Sequence, residues 1–188
     1  MKVIFIRHGQ TPGNAKKQYI GSTDESLSEE GKSILKAKHY PIVEQLIVSP
    51  MKRCQETAAI IYPGKDYIVA EQLRECDFGL FERKAYEELK DLKAYQEWLA
   101  SKGALPFPNG ESAEAFKKRC CEAFLNIMAH YQEAKSIAFV VHGGTIMAIL
   151  EAYGYPKKEF YDYQVKNGSG YLVEYDCKRQ EMTSIVLL

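Results

Sequence analysis

A chain of 188 residues carries 25 lysines and arginines against 25 aspartates and glutamates, with 46% hydrophobic and 27% charged residues. Length and balance fit one globular domain with a sizeable core, and zero formal net charge offers no overall field for nucleic acid or an anionic membrane. No apolar run approaches the ~20 residues of a membrane span. The N-terminal run is too short for a signal-peptide core, and five cysteines without a CxxC pair read as free thiols in a reducing cytoplasm.

The first element is the run Lys2-Val3-Ile4-Phe5-Ile6, apolar and rich in β-branched residues, which predicts a buried strand. It ends in Arg7-His8-Gly9 and so delivers a guanidinium and an imidazole to the strand's carboxyl end, where open α/β sheets bind ligands. Residues 11–27 read as a long polar loop folded over that end. Ser26 with Glu29 offers a capping box for a helix to about His39, and Leu46-Ile47-Val48 reads as a second buried strand. Ser49 and Pro50 suit the N-cap and first position of the next helix, which Tyr62-Pro63-Gly64 stops.

Val69–Leu73 suggests a short strand, Ala85–Ala100 a mixed helical region, and Gly103–Gly110 a loop. A helix from Glu111 to about Tyr131 places Ala115, Phe116, Cys120, Ala123, Phe124 and Ile127 on an apolar face. Ile137–Val141 repeats the first strand's pattern and ends in His142-Gly143-Gly144-Thr145, with a helix from Thr145 to Tyr153. The alternating tail from Gly170 to Leu188 predicts a hairpin. Alternating strands and helices predict an α/β fold: a three-layer α/β/α sandwich with a mostly parallel central sheet. We expect a single domain over 1–188, with a cap subregion around 80–110. Tyr86, Tyr95, Trp98 and Phe107 in that cap are expected mostly to pack against one another.

Two imidazoles at two strand ends suggest one site. Arg7 supplies a planar fork for phosphate or carboxylate. Arg53 lies in the first turn of its helix, where the backbone also favours anions; taken alone, it reads as a partner of Glu56 on a solvated face. His39 and His130 read as surface or structural residues.

In sequence order, Arg7-His8-Gly9-Gln10-Thr11, the segment from Ser49 to Thr57, Leu73-Arg74-Glu75 with Phe78-Gly79, and Val141-His142-Gly143-Gly144 resemble the four motifs of the histidine phosphatase superfamily, the phosphoglycerate-mutase-like group. The resemblance covers most of the chain and implies the same sandwich fold. It implies that His8 is the nucleophile, forming a phosphohistidine, and that Arg7, Arg53 and His142 surround the transferred phosphoryl group. Glu75 would protonate the leaving oxygen and then activate water, with Asp77 and Glu82 as rival acids. Gln10, Asn14, Gly21, Ser22 and Gly143 would complete the substrate pocket. Cationic neighbours are expected to lower the His8 pKa.

No metal or other cofactor is implied: the histidines lack a HExxH spacing, and arginines beside both of them would repel a cation. The partner is a small phosphorylated metabolite, with no expectation for oligomeric state. Hydrolysis is favoured over phosphoglycerate mutation, because Gln10 stands where mutases carry glutamate and Glu75 is followed by Cys76-Asp77-Phe78-Gly79. A non-catalytic binding protein on the same fold is the third reading. The Tyr19–Leu27 and Leu73–Gly79 segments are most similar to the family's α-ribazole phosphatases, which implies α-ribazole 5′-phosphate as a candidate substrate. The sequence departs from the family at Leu80-Phe81-Glu82-Arg83, where relatives often show Trp-Glu-Gly and Arg83 replaces the glycine.

Overall fold

The computed structural model describes all residues from Met1 to Leu188. Six strands form one sheet: β1 (Lys2–Arg7), β2 (Gln45–Val48), β3 (Ile68–Val69), β4 (Ser136–Val141), β5 (Gly170–Asp176) and β6 (Glu181–Leu187), in the spatial order β3-β2-β4-β1-β5-β6. The first four are mutually parallel, and the β5–β6 hairpin adds antiparallel to β1. Seven helices accompany the sheet: α1 (Pro12–Ala15), α2 (Glu29–Lys36), α3 (Lys52–Ile61), α4 (Tyr86–Leu89), α5 (Lys93–Ala100), α6 (Ala113–His130) and α7 (Gly143–Tyr153). The result is an α/β/α sandwich with a mostly parallel sheet.

The strand period of two explains why β1 and β4 are continuous apolar runs: both of their faces are covered. Val3, Phe5, Phe139 and Val141 turn toward α6 and α7 and join Phe116, Phe124, Ile146 and Leu150 in the larger core. Ile4, Ile6, Ala138 and Val140 turn the other way, with Leu46 and Val48, onto Cys54 and Ala58 of α3. Each large side chain so buried contributes about 1.5–3 kcal/mol.

Several element boundaries differ from expectation. Ser28 caps α2, its hydroxyl accepting from Gly31 N at 3.0 Å, so Ser26 is not the cap and the helix ends at Lys36 rather than His39. Helix α3 begins after Met51; Ser49 instead extends the sheet, its N–H donating to Val140 O at 3.0 Å. Residues 69–73 divide between the end of β3 and a 3-10 turn at Glu71–Leu73, and the 11–27 segment contains α1. The long helix starts at Ala113 behind a Ser112 cap, because Glu111 is engaged by Arg119. Ala115 on it is exposed and Ile127 only half-buried.

Tyr19, Phe78, Phe81, Tyr95, Trp98 and Phe107 pack on one another, mostly edge to face, with centroids 5.0–6.4 Å apart. Tyr86 lies at the edge of this layer, 54% exposed. Arg83, two residues after Phe81, has φ 62°, the left-handed region that glycine occupies without strain. All five cysteines are unpaired, and no helix is long and apolar enough to cross a membrane.

Candidate active site

The site is a direct consequence of strand register. Arg7 pairs with Val141 across β1 and β4, and His8 N continues the ladder to Val141 O at 2.9 Å. The next residues, His8 and His142, therefore leave the sheet side by side, with ring centroids 5.2 Å apart. Across β4, Val48 pairs with Val140, which brings Ser49 beside His142; Ser49 Oγ lies 2.7 Å from His142 Nε2. Three neighbouring parallel strands thus end at one level, on the carboxyl edge where such sheets place ligands.

His8 is buried, and its Nδ1 lies 2.7 Å from Gly9 O. A carbonyl oxygen can only accept, so Nδ1 carries the hydrogen and Nε2 keeps its lone pair. Burial first, then the Arg53 and Arg7 guanidiniums, hold the His8 pKa well below the usual imidazole range. His142 is depressed likewise, by burial, then Arg53 and His8. Both rings are therefore neutral at neutral pH. Cys54 Sγ also reaches His142, 3.5 Å from Nε2, but burial pushes that thiol up to about 12, so it is no thiolate nucleophile at pH 7.

Arg53 is fully buried rather than lying on a solvated face. Its Nη1 donates to Thr23 O and its Nη2 to Gly21 O, both at 2.8 Å, while Glu56 is engaged by Leu27 N at 2.8 Å. Arg7 Nη1 donates to Val165 O at 2.7 Å. Each guanidinium keeps a buried Nε–H without a partner in the protein. Two cationic groups so anchored leave donors for an anion's oxygens.

Glu75 is half-buried and closely surrounded, and desolvation pushes its carboxyl above the usual range against the pull of Cys76 N, Arg53, Gly144 N and Arg7. Its Oε1 accepts from Cys76 N at 3.0 Å and its Oε2 from Gly144 N at 3.2 Å. A Cβ on Gly144 would stand 2.5 Å from Glu75 Oε1, so glycine there is what lets the carboxyl seat against α7. Gly144 N, in the first turn of α7, therefore serves Glu75. Gly143 lies against Arg7, where a Cβ would meet Nε at 3.5 Å.

The expected pocket residues separate into groups. Gly21 enters through its carbonyl on Arg53. Ser22 is exposed and its hydroxyl donates to Asp77 Oδ1 at 3.1 Å. Asn14 caps Thr11 N at 3.3 Å and accepts from Asn167 Nδ2 at 3.0 Å. Gln10 lines a cavity beside α2 whose wall contains neither His8 nor His142. Asp77 holds Gly79 N at 2.9 Å.

Glu82 accepts from Gly21 N, Ser22 N, Thr23 N, Thr23 Oγ1 and Phe78 N at 2.7–3.3 Å. It is thereby the clamp on the loop whose carbonyls hold Arg53. Sequence reading also overlooked Thr57, whose hydroxyl accepts from Gly9 N at 2.9 Å, and Asn167, whose amide donates to His8 O at 3.1 Å. Neither carries a local sequence signal; both reach the site through tertiary contact alone.

Residues 3–187 match the model of the histidine phosphatase superfamily (branch 1). The chain is 25% identical over 178 residues to an adenosylcobalamin/alpha-ribazole phosphatase of Salmonella typhimurium, covering 89% of this chain and 87% of that one. It is 28% identical over 190 aligned residues to a broad-specificity phosphatase of Saccharomyces cerevisiae, covering 93% of this chain and 80% of that one. The crystal structure of the alpha-ribazole phosphatase from Shigella flexneri shares the fold, with a TM-score of 0.84 at 24% identity, over 100% of this chain and 96% of that one.

Proposed function

Because this chain belongs to the histidine phosphatase superfamily, we propose that it hydrolyses phosphate monoesters of small metabolites through a phosphohistidine on His8, without a metal. The observation that carries the reading is the fixed tautomer of His8: its Nδ1–H is tied to Gly9 O, so Nε2 holds a lone pair in a site made positive by Arg53 and Arg7. In the first step Nε2 attacks phosphorus and the ester P–O bond breaks. Glu75, whose raised pKa favours the protonated form, gives its proton to the leaving oxygen. In the second step the Glu75 carboxylate takes a proton from water, the hydroxide oxygen bonds to phosphorus and the P–Nε2 bond breaks. Arg7, Arg53 and His142 hold the phosphoryl oxygens, and preorganised donors of this kind contribute most to charge developing in the transition state. The anchoring of both guanidiniums by backbone carbonyls supports that preorganisation.

The positive surroundings of His8 suit a phosphate dianion and disfavour a divalent cation. The layer around residues 80–110 acts in this reading as a cap within a single domain over 1–188, and the protein is cytoplasmic. Similarity to the Salmonella enzyme supports α-ribazole 5′-phosphate as a substrate, and similarity to the yeast enzyme supports a broader range. The test is hydrolysis of p-nitrophenyl phosphate in EDTA, followed by a panel of phosphometabolites containing α-ribazole 5′-phosphate and 3-phosphoglycerate. Turnover in chelator that is inhibited by orthovanadate supports the proposal. A requirement for added divalent ion, or interconversion of phosphoglycerates in place of phosphate release, contradicts it.

A further inference from the structure

A cavity of about 710 Å³ opens beside the site, between α2 and the 164–169 segment that leads into β5. Its lining contains neither His8, Arg53, Glu75 nor His142. Gly9 and Asn167 form its wall toward the catalytic side, Asn167 donating to His8 O at 3.1 Å. Of the residues assigned to the phosphoryl group and its transfer, Arg7 alone also borders this cavity.

The lining is charged with one sign. Lys38, Lys166 and Arg7 border it, and no aspartate or glutamate does. Neither lysine takes part in an ion pair. Lys38 Nζ instead donates to Gly168 O at 2.9 Å and Ser169 Oγ at 2.7 Å. The Lys38 ammonium is held below the usual lysine range, by burial first and then by Lys166. Two like charges thus line one cavity with no acidic side chain on its wall, an arrangement that favours an anion between them. The Gln10 carboxamide makes no hydrogen bond, and its Oε1 is buried on the same wall; rotated by half a turn it presents an N–H₂ donor instead. Ile34, Leu35 and Val165 supply an apolar floor. A volume of this size suits a metabolite rather than a bare ion.

We propose that this cavity is a second binding site, separate from the catalytic centre, for a small organic anion of two or more charges borne on phosphate or carboxylate groups. The charged end lies between Lys38 and Lys166 with Gln10 and Asn167 as neutral donors, and the body lies on Ile34 and Val165. An occupant touches the segment that holds Arg7 through Val165 O and His8 through Asn167, so its binding is coupled to the catalytic side.

The probes are citrate and methylenediphosphonate, neither of which contains a phosphate ester. Titration calorimetry on the full chain is expected to show one saturable site per chain for at least one of them, weakening with salt. The tighter probe distinguishes carboxylate from phosphate as the recognised group. The exposed Lys166→Ala is expected to weaken binding about threefold to fivefold, and Lys38→Ala with Lys166→Ala about tenfold or more, with p-nitrophenyl phosphate turnover retained in probe-free buffer. Amide shifts in the unaltered chain locate the site independently: saturation should move Gly168 more than Gly144. Absence of saturable binding overturns the proposal. So does affinity unchanged by the lysine substitutions, or a shift centred on Gly144.

Discussion

The clamp at Glu82 gives the sharpest test of how the site is held. Replacing it with glutamine keeps size and shape but leaves one carbonyl oxygen where the carboxylate had two. If that oxygen stands at Oε1, it keeps Gly21 N, Ser22 N and Phe78 N, and the new N–H₂ meets Thr23 N–H, donor against donor. Hydrogen bonds to a charged group contribute about 1.5–3 kcal/mol each. The half-buried position lowers that, so a local loss of about 1–3 kcal/mol is expected on the 21–23 loop. Gly21 O and Thr23 O hold the Arg53 guanidinium at 2.8 Å, so loosening the loop frees the cation that the transition state needs fixed. A transfer of half to all of that loss to catalysis gives a fall in kcat/KM of about 2–150-fold. Steady-state hydrolysis of p-nitrophenyl phosphate measures it, beside Glu88→Gln, whose remaining carbonyl oxygen can keep the one exposed bond from Ala85 N. A Glu82→Gln enzyme with the kcat/KM of the Glu88→Gln control would refute the chain from Glu82 through the loop to Arg53.

Gly144→Ala separates stability from activity. The new Cβ would stand 2.5 Å from Glu75 Oε1 and 3.0–3.1 Å from the buried Phe116 ring; thermal unfolding should show only a modest loss while turnover of alkyl phosphates, which need the acid, falls at least about tenfold. Equal loss of alkyl and p-nitrophenyl phosphate turnover would show that Glu75 is not what the methyl displaces. The pH profile of kcat/KM should be bell-shaped. His8 reacts when neutral and its pKa is lowered, so the acid limb lies below the ordinary imidazole range; Glu75 donates when protonated and its pKa is raised, so the alkaline limb lies above the ordinary carboxylate range. In Glu75→Gln the alkaline limb should vanish, and its persistence would assign that limb to another group.

The sheet was readable because a parallel strand covered on both faces is an apolar run, and the runs at 2–6 and 137–141 have no competing interpretation as helices of that length. Their register was not readable, yet it is register that sets His8 beside His142. Serines misled at the helix starts. Ser26, Ser28 and Ser49 all have the chemistry of a cap, and only the fold shows that Ser28 is one while Ser49 is claimed by the sheet and by His142. Arg53 looked like a surface residue by its i, i+3 neighbour Glu56, a pattern that tertiary burial overrides. Gln10 follows the motif that carries Arg7 and His8, but the chain turns there and its side chain faces the α2 cavity. Glu82 had the signal of an acid near the motif; its bonds to five groups from Gly21 to Phe78 depend on two segments some sixty residues apart being folded together. Arg83 at φ 62° occupies the left-handed region, where the glycine of the resembled Trp-Glu-Gly pattern would sit without strain.

The central claim is that His8 Nε2 becomes bonded to phosphorus during turnover. Rapid acid-free quenching of the enzyme with ³²P-labelled substrate, followed by peptide mapping, addresses it directly. Label that is stable in alkali, labile in acid and confined to the His8 peptide is expected, and His8→Ala should carry none. Full turnover without a labelled histidine, or label retained in His8→Ala, would contradict the mechanism.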